Sequence, residues 1–284
     1  MNTLVASRSK ALQSVRSFFY ERDYFEVDPP VLSRGASVDL FIDPFSLKET
    51  GEFLFTSPEY PMKRILTTTS ANLFFLGHVF RNEPPTPRHS PEFTMIEWYK
   101  IRTSEKDFLK EAVDLISLFL PACHVEMLTY DDAFLRYARD IDEDISRFSP
   151  IEKRHYQLAT QIEPNLGQNG LTILHAFPPE EAALARLHTV QGKTRAARYE
   201  IFYKGVELGN GFEELSDMKE QRARLMKANK ARIIHGKAPL PPDEAFLAAL
   251  EKGLPPDTFG MALGFDRLFQ IKEGAPLLSD IIHI

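Results

Sequence analysis

Three separated stretches hold residues whose types and spacing can do chemistry. The first runs Phe80-Arg81-Asn82-Glu83, passes through Pro84, Pro85, Pro87, Ser90 and Pro91, and ends Phe93-Thr94-Met95-Ile96-Glu97-Trp98-Tyr99. Apolar residues 73–80 and strand formers 93–99 flank a proline-rich segment that cannot pair regularly, which predicts a β-hairpin with a long, stiff loop. Alternation then places Val79, Arg81 and Glu83 on one face of the first strand, and Phe93, Met95, Glu97 and Tyr99 on one face of the second. A guanidinium grips a phosphate as a fork, a ring stacks on a purine, and a carboxylate beside a tyrosine hydroxyl holds an ammonium. The competing reading is a solvated face with a surface arginine.

The second stretch is Val206-Glu207-Leu208-Gly209-Asn210-Gly211-Phe212-Glu213-Glu214. An odd separation puts Glu207 and Glu214 on opposite faces of a regular strand, so their cooperation needs a bulge or a turn, which Gly209-Asn210-Gly211 can supply. Paired carboxylates with an Asn between them suit magnesium and an amine. An Asn-Gly hairpin turn with exposed acids is the alternative. In the third stretch, Gly260 to Arg267, Gly264 lets a ligand approach the backbone. Arg267, in a first helical turn, opposes the local dipole and calls for an anion, unless Asp266 pairs with it locally. Before all three comes Thr56-Ser57-Pro58-Glu59, with Ser57 as N-cap, Pro58 as first helical residue, and Glu59 suited to the helix dipole or to a cationic ligand.

These side chains need elements to position them. Leu12, Val15, Phe18 and Phe19 predict a helix over 11–19 that ends near Asp23. A short edge strand, 24–32, is halted by Pro29 and Pro30, a combination often found at a subunit interface. Strands are expected at 41–45, 53–55, 171–176 and 258–263, with one long strand over 198–208. Helices are expected at 104–120, 129–140, 216–234 and 243–252. Residues 141–195 otherwise read as helical fragments. Without repeats or a low-complexity linker, 1–284 reads as a single α+β domain, an antiparallel sheet with helices packed on it.

Composition narrows the function. With 34 basic and 40 acidic residues and a net charge of -6, the 284-residue chain has no electrostatic footprint for nucleic acid. Lys219 to Arg232 reads as the polar side of a solvated helix. A single cysteine, Cys123, excludes an internal disulfide framework and a cysteine-based zinc site, and suits a reducing cytosol. No signal segment or membrane span is legible, so a soluble, cytoplasmic protein is expected.

Taken in order, the stretches resemble the signature motifs of class II aminoacyl-tRNA synthetases. Phe25 to Pro30 is similar to motif 1, Phe80-Arg81-Asn82-Glu83 with Phe93 to motif 2, and Gly264-Phe265-Asp266-Arg267 to motif 3. Thr56 to Glu59, His89 to Tyr99 and Glu207 to Leu215 resemble the lysyl subgroup. The resemblance implies a six- or seven-stranded antiparallel sheet with flanking helices, a motif 1 homodimer, ATP and Mg2+, and a lysine-like amino acid. It gives Arg81 the α-phosphate, Glu83 the adenine amino group, and Phe93 with Arg267 the two faces of the purine, making Arg81 and Arg267 the catalytic pair. Ser90, Leu208 and Gly264 complete the ATP site. Glu59 would meet the substrate α-ammonium and Tyr99 with Glu214 the distal one, with Ser57, Asn210 and Ala262 beside them. Glu207, with Glu214, would hold magnesium near the phosphates. The implied chemistry is in-line attack of an already ionised carboxylate on the α-phosphorus, with no covalent protein nucleophile and no general base.

A lysyl-tRNA synthetase places an anticodon-binding domain before this core, whereas the first helix here begins almost at Met1, so stable tRNA binding is not expected. The chain most resembles truncated paralogues of lysyl-tRNA synthetase that modify elongation factor P. Ala262 stands where tRNA-charging lysyl enzymes have Gly, and the run Phe202 to Leu208 is also similar to those paralogues. The implied reaction activates a lysine isomer, (R)-β-lysine, and transfers it to the ε-amine of one lysine of elongation factor P. The alternatives are a stand-alone lysyl-tRNA synthetase core and a catalytically silent synthetase-like regulator.

Overall fold

Helix α1 (Thr3–Tyr20) opens the fold and buries Ala11, Val15, Phe18 and Phe19, the stripe expected from their spacing, though it starts earlier than that stripe required. The computed structural model describes residues 3–141 and 148–282. By its contacts the chain divides into two compact units: Met1–Pro121 with Glu214–Ile284, and Ala122–Glu213.

In the first unit, β1 (Tyr24–Glu26) is shorter than the expected strand and ends just ahead of Pro29 and Pro30. Next come β2 (Leu32–Ser33) and β3 (Phe53–Leu54), which pair antiparallel. The strand expected at 41–45 does not form. Asp39 Oδ1 instead accepts from the N–H groups of Phe41 (2.6 Å) and Ile42 (3.0 Å), a local turn that removes two ladder donors. Helix α2 (Glu59–Leu66) leads into β4 (Asn72–Phe80) and β5 (Glu92–Lys100), which form the expected hairpin. Helix α3 (Glu105–Ile116) is capped by Ser104, whose Oγ accepts from the Asp107 N–H.

The second unit holds β6 (His124–Thr129), α4 (Tyr130–Tyr137), α5 (Pro150–Gln157), β7 (Gly170–Phe177), β8 (Leu187–Val190), β9 (Lys193–Tyr203) and β10 (Val206–Glu213). The single long strand expected over 198–208 is instead the β9–β10 hairpin. Lys204 (φ 49°) and Gly205 (φ 72°) both take the left-handed conformation that a tight two-residue turn demands, and alternation along the chain does not reveal such a reversal. The chain then returns to the first unit with α6 (Met218–Ile234), α7 (Glu244–Leu250), β11 (Phe259–Gly264), α8 (Phe265–Glu273) and α9 (Ser279–Ile282).

Within the first unit the strands run in the order β1-β4-β5-β11, and within the second β10-β9-β7-β6, with β8 on β9. The fold is α+β and mostly antiparallel, with β1/β4 and β6/β7 as parallel departures from the all-antiparallel expectation. Both parallel pairs follow from long connections containing helices, which return the chain to its starting end. One core of the first unit gathers Leu73, Phe75, Val79, Met95 and Tyr99 with Met62 and Leu66 of α2. In the second, Tyr130, Phe177, Phe202 and Ile162 lie at the centre. Among the described residues no helix is long and apolar enough to cross a membrane.

Candidate functional site

The β4–β5 register pairs Val79 with Phe93, Gly77 with Met95, Phe75 with Glu97 and Leu73 with Tyr99. Phe93, Met95, Glu97 and Tyr99 therefore share a face, as alternation predicts. β11 extends that face, pairing Ala262 with Glu97 and Gly260 with Tyr99. Gly260 is needed here: an added Cβ would fall 2.3 Å from Tyr99 Cε1 and 2.4 Å from Glu214 Oε1. Tyr99 donates to Glu97 Oε1 (2.7 Å), and Ser57 Oγ donates to Glu97 Oε2 (2.6 Å).

Helix α2 brings the remaining charges. Ser57 is not the N-cap expected; Pro58 holds that place without a side-chain cap, and Ser57 Oγ accepts from the Glu59 N–H at 3.0 Å while donating to Glu97. The pull of Glu97 explains the shift. Glu59 and Lys63 lie one helical turn apart, and Lys63 Nζ reaches Glu59 Oε1 at 2.6 Å and Glu214 Oε2 at 2.5 Å. Lys63 is 1 % exposed. The approach to Glu214 is an ion pair without hydrogen-bond alignment, and Glu214 Oε1 is buried with no hydrogen-bond partner.

Three carboxylates thus gather around one ammonium. Burial raises the Glu97 carboxyl to about 7, with the charge of Glu59 adding to it, against the Ser57 and Tyr99 hydrogen bonds and Lys63. Burial also pushes Glu214 upward, Lys63 opposes it, and Glu59 adds to the rise. Burial pulls Lys63 down, but Glu214 and Glu59 outweigh it and the net direction is up. With an ammonium this close to Glu214, we assign the Lys63–Glu214 pair as ionised and place the proton that the cluster retains near neutrality on Glu97. The Tyr99 hydroxyl is raised well above its usual range, first by burial and then by Glu97, so it stays a donor.

Arg81 lies just past β4, where its N–H donates to the Pro91 carbonyl (2.8 Å) and continues the ladder. Its guanidinium stands 5.1 Å from the Phe93 ring centroid, and its Nε is buried without a partner. An orphaned buried donor of this kind fits an anion. Glu83 is half-buried and its N–H donates to the Arg81 carbonyl. The proline-rich loop, expected to be stiff and without regular pairing, makes one isolated pair: Thr86 and His89 exchange backbone hydrogen bonds around Pro87 and Arg88. Ser90, at the end of the loop, is half-buried.

Gly264 is the N-cap of α8, which puts Arg267 in the first turn as expected. A Cβ at Gly264 would meet only Arg267 Cβ, at 3.4 Å, so its backbone is open to approach. Asp266 does not pair with Arg267; it binds Arg8 Nη1 (2.6 Å) and accepts from the Thr94 N–H (2.6 Å). Arg267 Nη2 instead donates to the Arg88 carbonyl at 3.4 Å, linking α8 to the loop.

Glu207, Leu208 and Asn210 belong to the second unit. The Asn-Gly segment is not a turn: β10 runs through it, with a register shift between Glu207 and Gly209. That bulge sets Glu207 opposite Phe202 and Asn210 opposite Glu200, so Glu207 and Asn210 share a face despite their odd separation. Leu208, at the bulge, is buried. Arg198 donates to Glu200 Oε1 (2.5 Å) and weakly to Asn210 Oδ1 (3.4 Å). Burial pushes Glu200 up to about 8, Arg198 opposing and Glu207 adding to the rise, and burial with the charge of Glu207 raises Glu163. Among the described residues no three His, Cys, Asp or Glu side chains form a preformed metal cluster.

Eleven of the predicted site residues therefore fall in the first unit (Ser57, Glu59, Arg81, Glu83, Ser90, Phe93, Tyr99, Glu214, Ala262, Gly264 and Arg267) and three in the second. Ser57, Glu59, Tyr99, Glu214 and Ala262 meet around Glu97 and Lys63, two residues absent from the predicted set. Glu97 stands on the predicted face of the hairpin, and Lys63 lies at helical spacing from Glu59; those were their signals. A shallow groove of about 530 Å³ near Lys10, Ser14, Glu21, Arg22 and Leu118 holds none of the predicted residues.

Residues 1–283 match the family of tRNA synthetases class II (D, K and N). The chain is 37% identical to the Proteus mirabilis protein named "Elongation factor P--(R)-beta-lysine ligase" over 303 residues, covering 97% of this chain and 92% of that protein. Proteins of the same name from Pectobacterium atrosepticum and Histophilus somni are 35% and 37% identical, each across 97% of this chain and 92% and 93% of their own lengths.

Proposed function

Because this chain belongs to the family of class II tRNA synthetases (D, K and N), we propose that it is an ATP-dependent ligase that activates a lysine isomer, (R)-β-lysine, and attaches it to elongation factor P. The observation that carries this reading is the buried meeting of Glu59, Glu97 and Glu214, with Glu214 Oε1 lacking any donor. An acidic site of this depth suits a substrate that brings more than one ammonium. The relatives' shared name agrees with it.

In the first step the amino acid's carboxylate attacks the α-phosphorus of ATP and expels pyrophosphate. In the second, the neutral ε-amine of a lysine on the factor attacks the adenylate carbonyl, loses a proton and expels AMP. Glu59, Tyr99 and Glu214 hold the two ammonium groups, with Ser57 and Ala262 shaping the site. Arg81, with its unpaired Nε, binds the α-phosphate and offsets charge growing in the transition state. Phe93 and Arg267 stack the purine, Glu83 meets its amino group, and Ser90 and Gly264 lie alongside.

Leu208 and Asn210 complete the nucleotide and amino-acid sets. Glu207 fits the contact to magnesium, because it raises the neighbouring Glu163 and a cation would relieve that repulsion. Such an ion supplies positive charge to the triphosphate. Glu214 is committed to Lys63, so we assign it to the amine rather than to the metal.

We place residues 1–284 in one catalytic domain, acting as a homodimer in the cytoplasm without stable tRNA binding. Incubating the protein with elongation factor P, ATP and (R)-β-lysine, with α-lysine in parallel, tests the reading by mass spectrometry. A gain of one lysyl unit on a single lysine is expected, larger with the β isomer. An unmodified factor, with tRNA(Lys) charged instead, would overturn it in favour of a synthetase core, and no substrate-dependent pyrophosphate exchange would leave the silent regulator.

A further inference from the structure

Lys63 is buried at the centre of the acidic cluster, although no role in the reaction is yet attached to it. A buried ammonium is costly unless it is paired, and this one is paired twice, with Glu59 on its own helix and with Glu214. Its Nζ also stands 5.9 Å from the Tyr99 ring centroid. Every group it touches is one that the proposed reading gives to the amino acid. A lysine that served only to hold α2 in place could pair with Glu59 alone, on the same helical face; the second partner lies far along the chain.

The charges also fail to close. With the retained proton on Glu97, Glu59 and Glu214 carry two negative charges and Lys63 cancels one. One remains, in a site where Glu97 is 2 % exposed and Glu214 5 % exposed. An amino acid's own carboxylate offsets its first ammonium, so a substrate with one ammonium leaves that buried charge unmatched, whereas a second ammonium closes the balance. Without Lys63, Glu59 and Glu214 would repel each other and lose the contact that fixes their orientation.

We propose that Lys63 is a positioning and selectivity residue, a built-in counter-ion that aligns Glu59 with Glu214 and sets the residual charge of the site to match a diamino acid. The inference rests on the reading that these carboxylates receive the substrate's amines. Its test separates the two. ATP–pyrophosphate exchange by the unaltered protein is measured with lysine isomers and with norleucine, an uncharged-tail analogue of lysine. No exchange with any lysine isomer would overturn the reading, and this inference with it.

Given exchange, Lys63→Met is expected to raise the KM for the lysine isomer about tenfold or more, to leave the KM for ATP within about twofold, and to reduce the preference for lysine over norleucine. Unchanged lysine KM and unchanged preference in the folded variant would overturn the inference while leaving the reading intact. Should Lys63→Met not fold, Lys63→Arg decides. The larger planar cation cannot reproduce both contacts, so a lysine KM raised several-fold at constant ATP KM is expected, and an unaltered lysine KM and selectivity would overturn the proposal.

Discussion

Gly260 faces Tyr99 across the β11–β5 pair so closely that a Cβ on Gly260 would lie 2.3 Å from Tyr99 Cε1. The tyrosine ring and the Glu214 carboxylate use the space that a side chain would take. Both are buried and neither can swing into solvent. The close approach, rather than any unusual backbone angle, requires glycine here.

Gly260→Ala is therefore expected to destabilise the first unit by about 1–3 kcal/mol, the usual cost of overpacking a buried position. It should also raise the KM for the amino acid by displacing Tyr99 and Glu214. Thermal melts followed by circular dichroism, alongside exchange kinetics, check both. A variant with an unchanged Tm and KM would mean that the strand pair has room to give.

Glu97 makes stability depend on pH. Its folded carboxyl is raised to about 7 by burial and by Glu59, whereas an unfolded glutamate ionises near ~4.3. Between these values the folded state holds a proton that the unfolded state has released, so this group's contribution is fully present below ~4.3 and is lost as pH rises through 7. Glu97→Gln removes the titration. The Tm of the variant should gain on that of the parent protein as pH is raised from 5 to 8, and a constant difference across that range would contradict the assignment.

Arg81→Ala tests the anion site. Because the Nε of Arg81 has no partner to lose, the variant should keep its fold and melting temperature within a few degrees. Exchange activity should drop by roughly 100-fold or more, as when one transition-state donor is removed from an enzyme. Activity near the parent level would remove Arg81 from the phosphate role.

Asp266 ties three segments together, accepting from Arg8 of α1 and from the Thr94 N–H of β5 at the start of α8. Asp266→Ala leaves the Arg8 guanidinium, 15 % exposed, without its carboxylate, with only the Thr94 hydroxyl (3.0 Å) and the Ile281 carbonyl (3.5 Å) still accepting from it, and is expected to cost about 3 kcal/mol. Arg8→Ala should cost less, and the double variant little more than Asp266→Ala alone. Simple additivity in urea unfolding would show that the two side chains do not act as a pair.

Much of the site was legible because its evidence is local. The hairpin face of Phe93, Met95, Glu97 and Tyr99 follows from alternation, and Glu59 and Arg267 follow from their places in first helical turns. The errors arose where a short contact overrode a pattern. Asp39 turned 41–45 into a loop, Lys204 and Gly205 reversed a strand that alternation carried straight on, and Glu97 drew Ser57 away from its cap. Asp266 looked like a partner for Arg267 only because the two are neighbours in sequence.

By itself the sequence determined most of the elements and the residue types offered on each face, since propensity and period act within a few residues. Only the tertiary structure decided which charges are buried together. Lys63 meets Glu59 through one helical turn but meets Glu214 only across the fold, where the Glu214 N–H donates to the Thr258 carbonyl (2.9 Å) just ahead of β11, and the energy of a buried ion depends on every charge near it rather than on any spacing along the chain.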